Sequence, residues 1–182
     1  MADHGGASDD PEARAREVCL QLLTLAPRTR AQLAAALRRR GIPGHVADPM
    51  LARFTDAGLI DDAAFARAWV ESRHYSRGLA ARALSAELRQ RGVDDEEIRE
   101  AVAGLGPDAE VDTARQLVAS RLAATRGQRP EARMRRLAGM LARKGYPPGL
   151  AFRVIREALE AEGADGVLGE EPYFDDPDID TE

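Results

Sequence analysis

The side chains able to do covalent or metal chemistry are few in this 182-residue chain, and their spacing does not favour it. The histidines are His4, His45 and His74, and none has the local partners of a metal centre or a catalytic triad. The single cysteine, Cys19, lies within the apolar run 18–23, which points to a buried structural thiol rather than a nucleophile. No G-x-x-x-x-G-K-[S/T] phosphate loop is present. Carboxylates cluster at Asp61-Asp62 and at Asp94-Asp95-Glu96-Glu97. Both runs open helices, where capping and the helix dipole account for them and adjacent side chains diverge. No catalytic residue, metal or cofactor is expected, and the reading is of a protein that is not an enzyme.

Binding chemistry is better represented. Residues 1–17 carry a charge of −3 and residues 160–182 a charge of −10, so the overall −5 conceals +8 on residues 18–159. Of the 26 basic residues only Lys144 is lysine. Arginine makes forked contacts to phosphate and carboxylate, although an Ala/Arg/Gly-rich chain can also reflect coding bias. Arg38, Arg39 and Arg40, Arg89 with Arg91, and Arg143 with Lys144 each end a helix. The helix dipole alone favours cations there by about 0.3–1 kcal/mol each. Arg73, Arg77 and Arg82 surround Tyr75, and Arg133, Arg135 and Arg136 follow Arg129 in a further stripe. Together they are candidates for a surface that binds phosphate or acidic groups. Trp69, accompanied by Phe65 and Val70, reads as core rather than as a base-stacking platform.

These residues must be positioned by helices. Aromatics are only 4% of the chain, and apolar spacing is helical nearly throughout. Asp10 and Pro11 start a first helix. Thr29 and Gln32 form a capping box for a second, which stops at Gly41. A third, near 44–57, contains Pro49 and is expected to kink or start late. Asp61 caps a fourth; Asp94 and Glu97 form another box. Leu150, Phe152, Ile155 and Leu159 define the last helix. The acidic segment 163–182 is expected to be disordered, and able to compete with acidic ligands for the basic face. No apolar run approaches the roughly 20 residues of a membrane span. A reducing, cytoplasmic location fits these features best.

An internal repeat organises the helices. Leu37-Arg-Arg-Arg-Gly41-Ile42, Leu88-Arg-Gln-Arg-Gly92-Val93 and Leu141-Ala-Arg-Lys-Gly145-Tyr146 share the form L-x-x-[R/K]-G-apolar, with glycines 51 and 53 residues apart. Ala66-Arg-Ala-Trp-Val-Glu-Ser-Arg73 and Ala114-Arg-Gln-Leu-Val-Ala-Ser-Arg121 also align, 48 residues apart. The fold expected is all-α, an elongated, curved tandem array of three-helix repeats, two full and one truncated. The expected segments are an acidic, partly helical N-terminus (1–17), a first repeat with a leading helix (18–77), a second repeat (78–128), a truncated third (129–162), and the tail.

The stretch Gly58-Leu-Ile-Asp-Asp-Ala-Ala-Phe-Ala-Arg-Ala-Trp-Val-Glu-Ser-Arg73, followed by the elements at 88–93 and 141–146, resembles the RecX family of regulatory proteins. The likeness runs from about residue 18 to 162; Pro49 and the acidic ends depart from it. The resemblance implies a modulator, most often an inhibitor, of the RecA recombinase in DNA repair and the SOS response. It implies binding in the groove of the RecA–single-stranded-DNA filament, with loss of ATP hydrolysis, strand exchange and co-protease activity. DNA contact through the basic face and a monomeric state go with that reading. The alternative is a helix-turn-helix-like protein that binds nucleic acid without RecA, although no base-reading pattern of Arg, Asn or Gln stands out. A structural adaptor that binds neither is the third reading.

Overall fold

The computed structural model describes the backbone of residues 10–169 and the side chains of residues 10–163. Among the described residues there are nine α-helices and no strand. They are α1 (Pro11–Leu25), α2 (Arg30–Arg39), α3 (Gly44–Asp56), α4 (Asp62–Arg77), α5 (Ala81–Gln90), α6 (Asp95–Ala103), α7 (Pro107–Leu122), α8 (Pro130–Arg143) and α9 (Pro148–Gly169). None is long and apolar enough to cross a membrane. The start of the acidic segment is helical, because α9 continues to Gly169. Residues 170–182, and residues 1–9 with His4, lie outside the described residues.

Local chemistry sets the ends of these helices. Asp10 accepts from the Glu12 amide ahead of Pro11. Both halves of the Thr29/Gln32 capping box form, a cap of about 1 kcal/mol. Asp61 caps α4 through the Ala64 amide at 2.7 Å. Pro49 causes no late start: α3 begins at Gly44 and accommodates it internally. After α2 the Ile42 amide donates to the Leu37 carbonyl (3.1 Å) and the Gly41 amide to Arg38 (3.0 Å). This is a Schellman ending, in which Ile42 folds back into the core. The same bonds recur at Val93 and Gly92 after α5.

Packing sets the frame of the repeat. Ala15 and Cys19 of α1 share one core with Leu33 and Leu37 of α2 and Met50, Leu51 and Phe54 of α3. Ala66 and Val70 of α4 share another with Leu84, Leu88 and Ile98. Each of these two triplets therefore opens with its longest helix. A period counted from the glycines starts one helix later; in the packed frame α7–α9 is the third triplet. Cys19 is fully buried and burial raises its pKa, in keeping with a structural thiol. Phe152 is about half exposed, and α9 buries Ala151, Val154 and Ile155 instead.

The described chain forms two compact units, one running to Glu110 and including Arg143–Tyr146, the other holding Val111–Ala142 and the chain from Pro147. Within the first unit one joint occurs twice. The Thr29 hydroxyl donates to the Arg91 carbonyl at 2.6 Å, and the Asp62 carboxylate accepts from the Arg30 amide at 2.9 Å. One triplet on, the Ala80 amide donates to the Lys144 carbonyl at 2.9 Å, and Glu110 accepts from the Ala81 amide at 2.5 Å. In both places the amide-rich start of a middle helix meets the carbonyl-rich end of the next middle helix, plus a carboxylate. The second joint is sealed by Tyr146, whose buried hydroxyl donates to the Gly78 carbonyl. Burial and the nearby Glu110 push its pKa up to about 12.

The glycine of the joint has two tasks. Its positive φ closes the helix, and its missing side chain admits the neighbour. A Cβ on Gly92 would lie 2.3 Å from the Ala31 Cβ, and one on Gly145 would lie 2.6 Å from the Ala83 amide nitrogen. Gly41 has the same backbone (φ +74°), and a Cβ there would meet nothing within 4 Å among the described residues. Arg14 there donates to the Arg40 carbonyl, the acceptor that Thr29 fills at Arg91. Gly41→Ala should cost only the left-handed strain, about 1–2 kcal/mol. Gly92→Ala should add an overpacking cost of about 1–3 kcal/mol. Urea unfolding followed by circular dichroism should place the Gly92 variant clearly below the Gly41 variant.

Candidate interaction surface

Helix α4 carries Phe65, Trp69 and Arg73 at successive i, i+4 positions, so they lie one above another on one face. Phe65 and Trp69 stack with ring centroids 5.7 Å apart and planes 15° apart. The indole Nε1 donates to Glu87 Oε2 at 2.8 Å. Two guanidiniums lie over the Trp69 ring: Arg73, 4.2 Å from its centroid, and Arg91, 3.7 Å. Such contacts contribute about 0.5–2 kcal/mol each, according to how far they are desolvated. Arg73 comes from the ring's own helix. Arg91 comes from the end of α5, held there by Thr29. Trp69 is thus half-buried, packed against the second core and covered by cations, while Val70 lies fully within that core.

A groove of about 570 Å³ runs beside this cluster. Its walls include Leu23, Pro27, Leu59, Phe65, Ala68 and Trp69, with Arg28 and Arg73 contributing positive charge. Leu59 is half exposed. Arg28 escaped the sequence reading. The available signal was its place in the short link between Pro27 and the buried cap Thr29, where the backbone is held at both ends. Its Nε, like that of Arg91, is buried with no hydrogen-bond partner among the described residues.

The other candidates divide by what they touch. Arg38, Arg39 and Arg40 are exposed at the end of α2, and their side chains make no ion pair among the described residues. Arg77 and Arg82 are exposed as well, as is Tyr75. Lys144 donates through Nζ to the Arg77 carbonyl, which brings those two together. Arg89 pairs with Asp95 at 2.8 Å on the surface, and Arg143 is exposed. Arg135 and Arg136 are exposed on α8 in the second unit. Arg133 is different: it is largely buried, bonded to Glu162 and, at 2.9 Å, to the Thr125 hydroxyl. Arg126 joins Glu162 from the other side at 2.6 Å. Those two guanidiniums hold the Glu162 carboxyl below its usual range. Arg133 is therefore occupied inside the second unit and is not an open cation.

Comparison with known proteins places the chain in a family. Three family models match in order: RecX, first three-helix domain, over residues 15–54; RecX, second three-helix domain, over 61–102; and RecX, third three-helix domain, over 108–155. The chain belongs to the RecX family. The three matches coincide with α1–α3, α4–α6 and α7–α9, the frame set by packing. The regulatory protein RecX of Thermobifida fusca is 64% identical over 87% of this chain and 86% of its own length. That of Streptomyces coelicolor is 56% identical over 94% and 92%. The crystal structure of RecX from Lactobacillus salivarius superposes with a TM-score of 0.76, covering 81% of this chain and 96% of that one. At 18% identity it shows the shared fold.

A cleft beside the groove of this RecX-family chain gathers Asp61, Asp62 and Glu97 around Arg30. Asp61 and Asp62 are spent on helix starts, those of α4 and α2 respectively. The Glu97 carboxylate takes a hydrogen bond from the Asp94 amide, while Asp94 itself caps Glu96. Burial first, then the neighbouring carboxylates, raises the pKa of Glu97; burial likewise raises that of Asp62. A carboxyl whose pKa is higher in the folded state favours folding at low pH and loses that contribution as pH rises through the folded value. Glu97→Gln keeps the acceptor and removes the charge. It should raise the unfolding midpoint at pH 7, and the gain should vanish below the carboxylate range, as thermal melts across pH 3–8 would record.

Proposed function

We propose that this RecX-family chain regulates the RecA recombinase, as an inhibitor, by seating its basic face along the groove of the RecA–single-stranded-DNA filament. The observation that carries the reading is the convergence of Arg73 and Arg91 on Trp69, through a joint that links consecutive triplets. Cations presented by a repeat scaffold suit a repeating, acidic partner better than they suit a small-molecule substrate. The relatives' shared name supports the regulatory role. No chemical step is assigned to the chain. A ligand shifts an equilibrium only by its differential affinity for the two states. Contact with more than one RecA subunit would supply such a difference, lowering ATP turnover and, with it, strand exchange and co-protease activity in DNA repair and the SOS response. Within this proposal the protein acts in the cytoplasm, as a monomer, with Arg38, Arg39, Arg40, Arg73, Arg77, Arg89 and Arg91 as the principal contacts. DNA phosphate is a secondary ligand of the same face.

Added at stoichiometric amounts to RecA on single-stranded DNA, the protein should lower steady-state ATP turnover several-fold. Replacing Arg38, Arg39 and Arg40 together by Glu should raise the half-inhibiting concentration by about tenfold, equivalent to about 1.4 kcal/mol. Unchanged turnover with the unaltered protein would contradict the proposal. Tight RecA-free binding to DNA with a steep salt slope would favour a direct nucleic-acid-binding role instead.

A further inference from the structure

The groove beside Trp69 has a chemistry of its own. Most of its wall is apolar, from Leu23, Pro27, Leu59, Phe65 and Ala68, and its volume of about 570 Å³ lies in the range of sites that enclose a ligand group. Positive charge stands along it: Arg28 and Arg73 line the groove, and Arg91 shares the Trp69 ring with Arg73. The Nε donors of Arg28 and Arg91 are buried and unmet among the described residues, and buried donors are ordinarily satisfied. The one carboxylate in the lining, Asp61, is committed to the α4 cap.

We propose that this groove docks an acidic segment of a partner protein, whose large apolar side chain enters between Leu59 and Phe65 while flanking carboxylates meet Arg28, Arg73 and Arg91. Carboxylates fit the guanidinium forks, and an aliphatic or aromatic anchor fits the walls. A nucleic-acid strand fits less well. The walls offer few groups to pair with base edges, and the indole ring on which a base would stack already has two guanidiniums over it. The inference deepens the regulator reading by naming the chemistry of the contacted protein surface, and rests on that reading only for the partner's identity.

The test needs no recombinase, so its failure is distinct from failure of the turnover assay. Binding of the full chain to a fluorescein-labelled peptide, Asp-Glu-Leu-Asp-Phe-Glu-Asp, would be followed by anisotropy. Two control peptides change Leu and Phe to Ser, or the acids to their amides. The unaltered chain should prefer the parent peptide to each control by tenfold or more. Ala68→Glu, at an exposed position of α4 in the groove wall, should abolish that preference while the helical circular dichroism stays unchanged. Leu59→Ser, in the turn before α4, should weaken binding in the same direction without touching a helix. Equal binding of the Ser control, or parent-peptide binding that survives both variants, would overturn the proposal. So would displacement of the parent peptide by equimolar oligothymidylate, which would make nucleic acid the occupant.

Discussion

The meeting of one middle helix's start with the next one's end is the interaction on which the rest depends. The start of α2 offers amides and a hydroxyl; the end of α5 offers carbonyls, and Asp62 adds a full negative charge. The partial charges of the two helix ends are of opposite sign, so their approach is favourable as well as hydrogen-bonded. It is also close enough to exclude a single Cβ at Gly92. The repetition of this arrangement at Ala80, Glu110 and Gly145 makes it a rule of the fold rather than an accident of one contact.

Function follows from the same contact. Because the Arg91 carbonyl is fixed by Thr29, the Arg91 side chain leaves from a defined point and reaches the Trp69 ring of the first helix in its own triplet. Arg73 arrives from the turn of α4 after Trp69. Two like charges are held beside one ring and next to an apolar groove, with Glu87 at the indole nitrogen. The exposed Arg38, Arg39 and Arg40 make no internal ion pair among the described residues.

How much could be read beforehand depended on sequence distance. Caps and stops at Asp10, Thr29, Asp61 and Gly41 are decided by residues within a turn or two, and they are where the residue types place them. The repeat was legible because the glycine carries a constraint that recurs. The origin of the repeat was not, since it depends on which helices share a core. Contacts bridging 60 residues or more, such as Thr29 with Arg91 and Lys144 with Arg77, leave no local trace. Arg133 likewise looked like a surface cation, although Glu162, 29 residues further on, already holds it. The RecX likeness compensated for this blindness at the level of fold, but a diffuse surface gives no invariant motif by which to find individual contacts.

Trp69 is the only tryptophan, so its emission reports directly on whether the joint positions Arg91. Thr29→Val removes the hydroxyl that holds the Arg91 carbonyl, whereas Thr29→Ser keeps it. Tryptophan emission and acrylamide quenching should match the unaltered protein in the Ser variant. They should shift toward a more accessible indole in the Val variant, with helical circular dichroism preserved. Identical emission and quenching in all three proteins would contradict the account, because Arg91 would then reach the ring without the joint.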